Sequence, residues 1–221
     1  MRIDQDSLGS LFIVFLIGAI IIVVTLLLNP KAYIKWPIIG LTLIFCIWQA
    51  FFFRVPDRKP VGSNKIVSSA ADGRVVICDV AYEDEILNRE CKRVCVYMDF
   101  FDVHANFWPL TGKVTYFKYH PGKNFLAFRP KASEYNEHFT TVISNDDSQE
   151  VLMRQIAGTF ARRIVCYSSD SLPTKAGEQC GIIKFGSRMD LYLPMDAEIK
   201  VKVGDNVRAC ESVIAILSGG E

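Results

Sequence analysis

The sequence predicts a mainly-β (α+β) domain, a β-sandwich or barrel-sandwich with hammerhead-like corners and one short helix, behind an N-terminal transmembrane helical hairpin. Three observations carry this expectation. Two uncharged apolar runs open the chain. From about residue 65 onward, short β-branched runs alternate with Gly, Pro and Asp. Three corners then share one plan, a turn followed by a strand that starts with a charged residue: Ala71-Asp72-Gly73-Arg74, Leu110-Thr111-Gly112-Lys113 and Asp196-Ala197-Glu198.

The hairpin comes first. Residues 11–28 carry no charge, which reaches the length a helix needs to cross a bilayer, about 18 to 20 residues. Asn29-Pro30 breaks the run, and Lys31 and Lys35 mark a polar connection. A second uncharged run, 36–53, closes at Arg54, with Tyr33, Trp36 and Trp48 placed to meet headgroups. Two runs in succession argue against a cleaved signal peptide. Arg2, Arg54, Arg58 and Lys59 at the two ends outnumber the lysines of the connection. That bias places the rest of the chain on the cytoplasmic side of the cell (inner) membrane. Residues 1–59 are thus expected to anchor, and residues 60–221 to form the working domain.

Within that domain, strands are expected at 74–80, 93–98, 113–119, 140–144, 150–156 and 198–203. A helix is expected at 156–166, where Ile156, Phe160, Ile164 and Val165 recur at helical spacing. Gly204-Asp205 supplies a tight turn near the end.

Composition removes several functions. Lys+Arg 25 against Asp+Glu 24 leaves a formal charge of +1, without the clustered surplus that nucleic acid requires. Cys91 and Cys95 are four apart, but no second pair or nearby His completes a zinc site, so no metal is expected. The seven scattered cysteines suggest no disulfide framework and a reducing compartment.

Two stretches could carry chemistry. His104 sits among Asp102, Asn106 and aromatics, a setting able to fix a tautomer, whereas His120 and His138 lie in polar turns. Gly186-Ser187 lies between two strand-like runs and is flanked by Lys184 and Arg188. A bulge or tight turn explains it as well as a reactive hydroxyl does. It lacks the second glycine of a Gly-x-Ser-x-Gly elbow. A membrane adaptor with a lipoyl-like sandwich accounts for anchor and corners but gives residues 185–188 no role. A zinc peptidase would want His pairs that are missing here.

Phe185-Gly186-Ser187-Arg188, leading to Asp190-Leu191-Tyr192-Leu193-Pro194, resembles the processing site of the short bacterial and archaeal phosphatidylserine decarboxylases. Gln155-Ile156-Ala157-Gly158 with Ala161-Arg162-Arg163-Ile164 resembles a helix region of the same proteins. Ala71-Asp72-Gly73, Asp102-Val103-His104-Ala105-Asn106 and residues 119–127 are similar to further signatures, in family order across about residues 60–217. The resemblance implies a zymogen that cuts itself between Gly186 and Ser187. It implies that Ser187 becomes a pyruvoyl group, which forms a Schiff base with phosphatidylserine and releases CO2 to leave phosphatidylethanolamine. His104 would move protons, and Asp72 would orient a catalytic group or help activate Ser187. Lys184, Arg188, Arg162 and Arg163 would meet the lipid phosphate or carboxylate. Both fragments would stay together, their strands lying in one sheet. The implied partners are a phospholipid and the membrane, with no nucleic acid and a homo-oligomer left open. One position departs from the family: Phe107 stands where longer members carry a second His and short members often Arg.

Overall fold

The computed structural model describes residues 1–122, 135–158, 164–184 and 187–218. It divides into two units, Met1–Pro56 and Asp57–Glu221.

In the first unit, β1 (Arg2–Ile3) is followed by α1 (Leu8–Leu28), α2 (Ala32–Phe52) and β2 (Arg54–Val55). Asn29 takes a left-handed conformation (φ 42°) and returns its N–H to Thr25 C=O, ending α1 before Pro30. Gly18 lets the helices approach: a Cβ there would lie 2.8 Å from Cys46 Sγ. Arg2 and Ile3 pair with Val55 and Arg54, so the two ends of the hairpin meet. Both helices are long and apolar enough to cross a membrane, and most of their side chains face outward.

The second unit is built of strands. They are β3 (Ile66–Ser68), β4 (Gly73–Glu83), β5 (Arg89–Met98), β6 (Ala105–Phe107), β7 (Gly112–His120), β8 (His138–Ser144) and β9 (Glu150–Ala157). There follow β10 (Ile164–Cys166), β11 (Pro173–Thr174), β12 (Gln179–Ile183), β13 (Ser187–Leu193), β14 (Glu198–Ile199), β15 (Asn206–Val207) and β16 (Val213–Ile216). Among the described residues, the main sheet runs β11-β7-β8-β9-β13-β5-β4-β15, and two smaller sheets run β10-β12-β6 and β14-β16-β3.

β13 lies inside the main sheet, antiparallel to both β9 and β5. Its seven residues are all buried. The strand period of two sends Met189, Leu191 and Leu193 to one face, level with Val96, Val94 and Met153 of the neighbouring strands. Trp108, Cys180 and Ile183 join the same core. Truncating Leu191 there to Ala should cost about 2–5 kcal/mol.

Most expected strands are present, extended by a few residues at their ends. Three expectations need correction. The strand expected at 198–203 stops at Ile199, because Lys202 N–H turns onto Asp205 Oδ2 (3.0 Å) and Gly204 N–H onto Val75 C=O (2.8 Å). The helix expected at 156–166 is absent at both ends: Ile156 closes β9 and Ile164 opens β10, while residues 159–163 lie outside the described ones. Its apolar residues repeat because two separate strands each turn one side inward, which a short window cannot distinguish from one helical stripe. Finally, the strands on either side of residue 187 do not share a sheet. β12 pairs with β6 and β10, whereas β13 pairs with β5 and β9.

Candidate active site

Ser187 opens β13, level with Met98 on one side and Ala157 on the other. It is fully buried. Its Oγ donates to Met98 Sδ at 3.7 Å, and Asn106 Nδ2 reaches the same sulfur at 3.7 Å. Gln155 Nε2 in turn donates to Asn106 Oδ1 at 2.9 Å. Four strands, β13, β5, β6 and β9, therefore meet through a serine, a thioether and two amides. Gln155 Oε1 is buried with no hydrogen-bond partner among the described residues. An orphaned amide atom in a dry site is costly, and it is open to a polar group formed nearby. Rotating the carboxamide would present a donor instead.

His104 lies just before β6 and is fully buried. Ile183 N–H donates to its carbonyl at 3.2 Å, so His104 is fixed against the segment that leads into Ser187. Its Nδ1 lies 3.1 Å from Asp102 C=O. Assigning the proton to that bond leaves a lone pair on Nε2, the tautomer of a general base.

Asp72 lies at the corner before β4. Both its oxygens meet the Arg58 guanidinium, Oδ2 at 2.7 Å from Nη2, and Oδ1 also accepts from Ala209 N–H at 2.8 Å. Asp72 beside it holds the Arg58 guanidinium above its ordinary range, against the opposing pull of burial. Gly73 is required at this corner: its φ is 142°, and a Cβ would fall on the Tyr97 carbonyl. A cavity of about 710 Å³ opens beside it, lined by Asp72, Arg74, Tyr97, Asp99, Asp102 and Arg208 among others.

The basic candidates fall differently. Arg188 is fully buried and grips Asp190, Nε to Oδ1 at 2.7 Å and Nη2 to Oδ2 at 3.0 Å. Burial alone would lower the Arg188 pKa, but Asp190, with Cys95 and Tyr192, outweighs it and holds the guanidinium above its usual value. Lys184 is also buried. Neither lines the cavity. Arg162, Arg163 and Gly186 lie outside the described residues. Phe107 is buried in β6, paired with Gln179 of β12.

Sequence reasoning noted Asn106 beside His104 and Gln155 in a family-like segment but gave neither a role of its own, and it did not single out Met98. The signal available was a lone amide beside Arg154 in the mainly apolar strand 151–157 and a second one two residues after His104. It also missed a cluster on the opposite face of the sheet, where His120, His138 and Glu85 bring potential ligand atoms within 4.8 Å of one another. The two imidazoles stack at 4.4 Å, and His120 Nε2 lies 2.9 Å from Glu85 Oε1. His138 Nδ1 donates to Asn136 C=O (2.7 Å), and burial, with help from Arg154, depresses its pKa to about 4. Arg154 bridges Glu83 (3.1 Å) and Glu85 (3.4 Å) beside the pair.

A family model described as Phosphatidylserine decarboxylase matches residues 45–215. Among curated relatives, the phosphatidylserine decarboxylase proenzyme of Cytophaga hutchinsonii is 37% identical, covering 97% of this chain and 98% of its own. The proenzyme of Amoebophilus asiaticus is 43% identical over 79% of this chain and 78% of its own, and that of Parabacteroides distasonis 34% identical over 99% and 100%. The class is therefore a carboxy-lyase on a mainly-β frame. The chain belongs to the phosphatidylserine decarboxylase family.

Proposed function

We propose that the chain decarboxylates phosphatidylserine to phosphatidylethanolamine through a pyruvoyl group that it makes from Ser187. The observation that carries this reading is the position of that serine, buried at the start of a central strand beside the orphaned amide of Gln155. In the self-cleavage, Ser187 Oγ adds to the Gly186 carbonyl carbon, the amide C–N bond breaks, and an ester replaces it. Loss of the Ser187 Cα proton expels the Gly186 carboxylate, and hydrolysis releases ammonia, leaving a ketone at the new terminus. The larger fragment is 1–186 and the smaller begins at former Ser187.

His104 takes the hydroxyl proton at Nε2 and returns it to the leaving amine. In decarboxylation the same imidazole protonates the substrate carbon, the double duty imposed by Phe107. Asn106 and Gln155 orient the new carbonyl, and the packed sheets around them exclude water. The ketone supplies an electron sink for the charge left when CO2 departs. Asp72 holds the corner at the cavity, with Arg58 fixing its carboxylate. No metal enters this scheme. Residues 1–59 hold the domain 60–221 at the cytoplasmic face of the inner membrane, where the headgroup of a bilayer lipid is concentrated.

Intact mass measurement under denaturing conditions tests the reading. Two fragments divided after Gly186, the smaller lighter by one ammonia than a Ser-initiated peptide, are expected, with Ser187→Ala remaining uncut and inactive. A single uncut chain from the native host would overturn it.

A further inference from the structure

His120, His138 and Glu85 form a cluster that the reaction at Ser187 does not use. β7 and β8 pair with His120 level with His138, so strand register sets the two imidazoles side by side. Glu85 comes from the turn between β4 and β5. Glu83 fixes that turn: its Oε2 accepts from Ile86 N–H at 2.9 Å and from Leu87 N–H at 2.8 Å. Two hairpins distant in sequence therefore converge on one spot.

Each ring is prepared to act as a ligand. His138 Nδ1 donates to Asn136 C=O at 2.7 Å, which leaves the Nε2 lone pair free for a metal. A backbone bond of this kind is how metal-binding histidines fix their tautomer. His120 Nε2 is buried and lies 2.9 Å from Glu85 Oε1, close enough for a hydrogen bond but out of line for one, so it has no such partner among the described residues. A buried imidazole nitrogen facing a carboxylate oxygen in this way favours a cation bound to both.

The charges nearby leave room for that cation. Arg154 is held by Glu83 at 3.1 Å and touches Glu85 through Oε2 at 3.4 Å, not through the oxygen that faces His120. Lys118 reaches Oε1 at 3.7 Å, but its side chain is 57% exposed and readily displaced. Two imidazoles and a carboxylate suit zinc and its first-row neighbours, whereas calcium and magnesium take oxygen ligands. The potential ligand atoms lie within 4.8 Å of one another. Metal bonds of about 2.0–2.2 Å would draw tetrahedral ligands to roughly 3.4 Å apart, a closure that side-chain torsions can supply.

We propose that His120, His138 and Glu85 bind one divalent first-row transition metal ion of the zinc class, with water in the remaining position. The ion clips the β4–β5 turn to the β7–β8 pair beside Arg154. It is a structural clasp on the ionic face of the sheet and takes no part in the chemistry at Ser187.

The test uses the metal-stripped full chain in detergent, with Zn2+ and Co2+ as probes. Equilibrium dialysis should give one Zn2+ per chain, and Tm should rise by about 5–10 °C at roughly a hundredfold excess over Kd. Co2+ should show the visible bands of a tetrahedral ion without a near-ultraviolet thiolate band, which separates this site from the seven cysteines. His120→Phe keeps a ring against His138 and removes one ligand atom. It and Glu85→Gln should each weaken Zn2+ binding at least about tenfold. Lys118→Met should tighten binding about threefold, a gain that no misfolded variant imitates. No bound Zn2+, binding that shows a thiolate band, or an affinity unchanged in both ligand variants would overturn the proposal. None of these readouts depends on decarboxylation, so the clasp and the proposed function stand or fall separately.

Discussion

The two faces of β13 carry different kinds of residue. On one, Ser187 leads into Met189, Leu191 and Leu193, and its polar neighbours are two amides and a thioether. On the other, Arg188, Asp190 and Tyr192 alternate with them, all buried and the first two joined as an ion pair. Burial pushes Tyr192 up to about 12 and raises the Cys95 thiol, level with Asp190, well above its ordinary range. One strand thus separates a nearly uncharged compartment, where a carbonyl can form, from an ionic one that holds strands together. The difference teaches that Arg188, the residue next to Ser187 in the chain, is held by Asp190 on the opposite face of the sheet.

Substitutions can break that separation, and the largest effect is expected on the ionic side. Asp190→Asn removes the carboxylate opposite a buried guanidinium and should cost about 3–5 kcal/mol, read from denaturant unfolding of the solubilised chain. The paired change Arg188→Met with Asp190→Leu should recover most of that stability, because a buried ion pair and a well-packed apolar pair are nearly equivalent. On the uncharged side, Gln155→Met should slow self-cleavage about a hundredfold, followed by the yield of the smaller fragment with time, while costing only about 1 kcal/mol of stability. A loss of stability without slower cleavage would erase the distinction between the faces.

A pH effect comes next. His138 on the ionic side has a folded pKa depressed to about 4 by burial, with Arg154 and His120 adding to it and Asn136 and Asp190 opposing. The unfolded chain binds this proton below about pH 6.5. Stability should therefore be complete above that pH and be lost as pH falls toward 4, by about 2 kcal/mol after allowance for partial solvent access. His138→Gln should flatten the dependence of Tm on pH in this window. The smallest effect belongs to the half-exposed Arg93–Asp79 pair (2.8 Å), where a double-mutant cycle should give less than about 1 kcal/mol.

What the sequence disclosed follows from the range of the forces involved. The hairpin was legible because apolarity over 11–28 and 36–53 is local, and the strands were legible because alternation is local. The corner at Asp72-Gly73 was legible because only glycine tolerates φ 142° against the Tyr97 carbonyl. Pairing was not legible. Whether Ile156 and Ile164 belong to one helix or two strands depends on partners such as His138 and Ile183, distant in sequence. The serine stood out by motif, but Gln155 acquires meaning only when β9 lies beside β13 and its amide meets Asn106. Arg188 stood out as a charge beside Ser187, while its burial and its pairing with Asp190 are properties of the folded sheet.

The chain crosses from one sheet to another between Ile183 and Ser187. Severing it there removes a tether and leaves every ladder of β12 and β13 in place. The smaller fragment would become a subunit held at the centre of its partner, with β9 and β5 on its flanks. Covalent continuity is needed only while strand order is being set. Ser187 meets Met98 only after β13 has docked beside β5, so under the proposed self-cleavage the sheet would serve as its own checkpoint: an unfolded chain would have no site at which to cut.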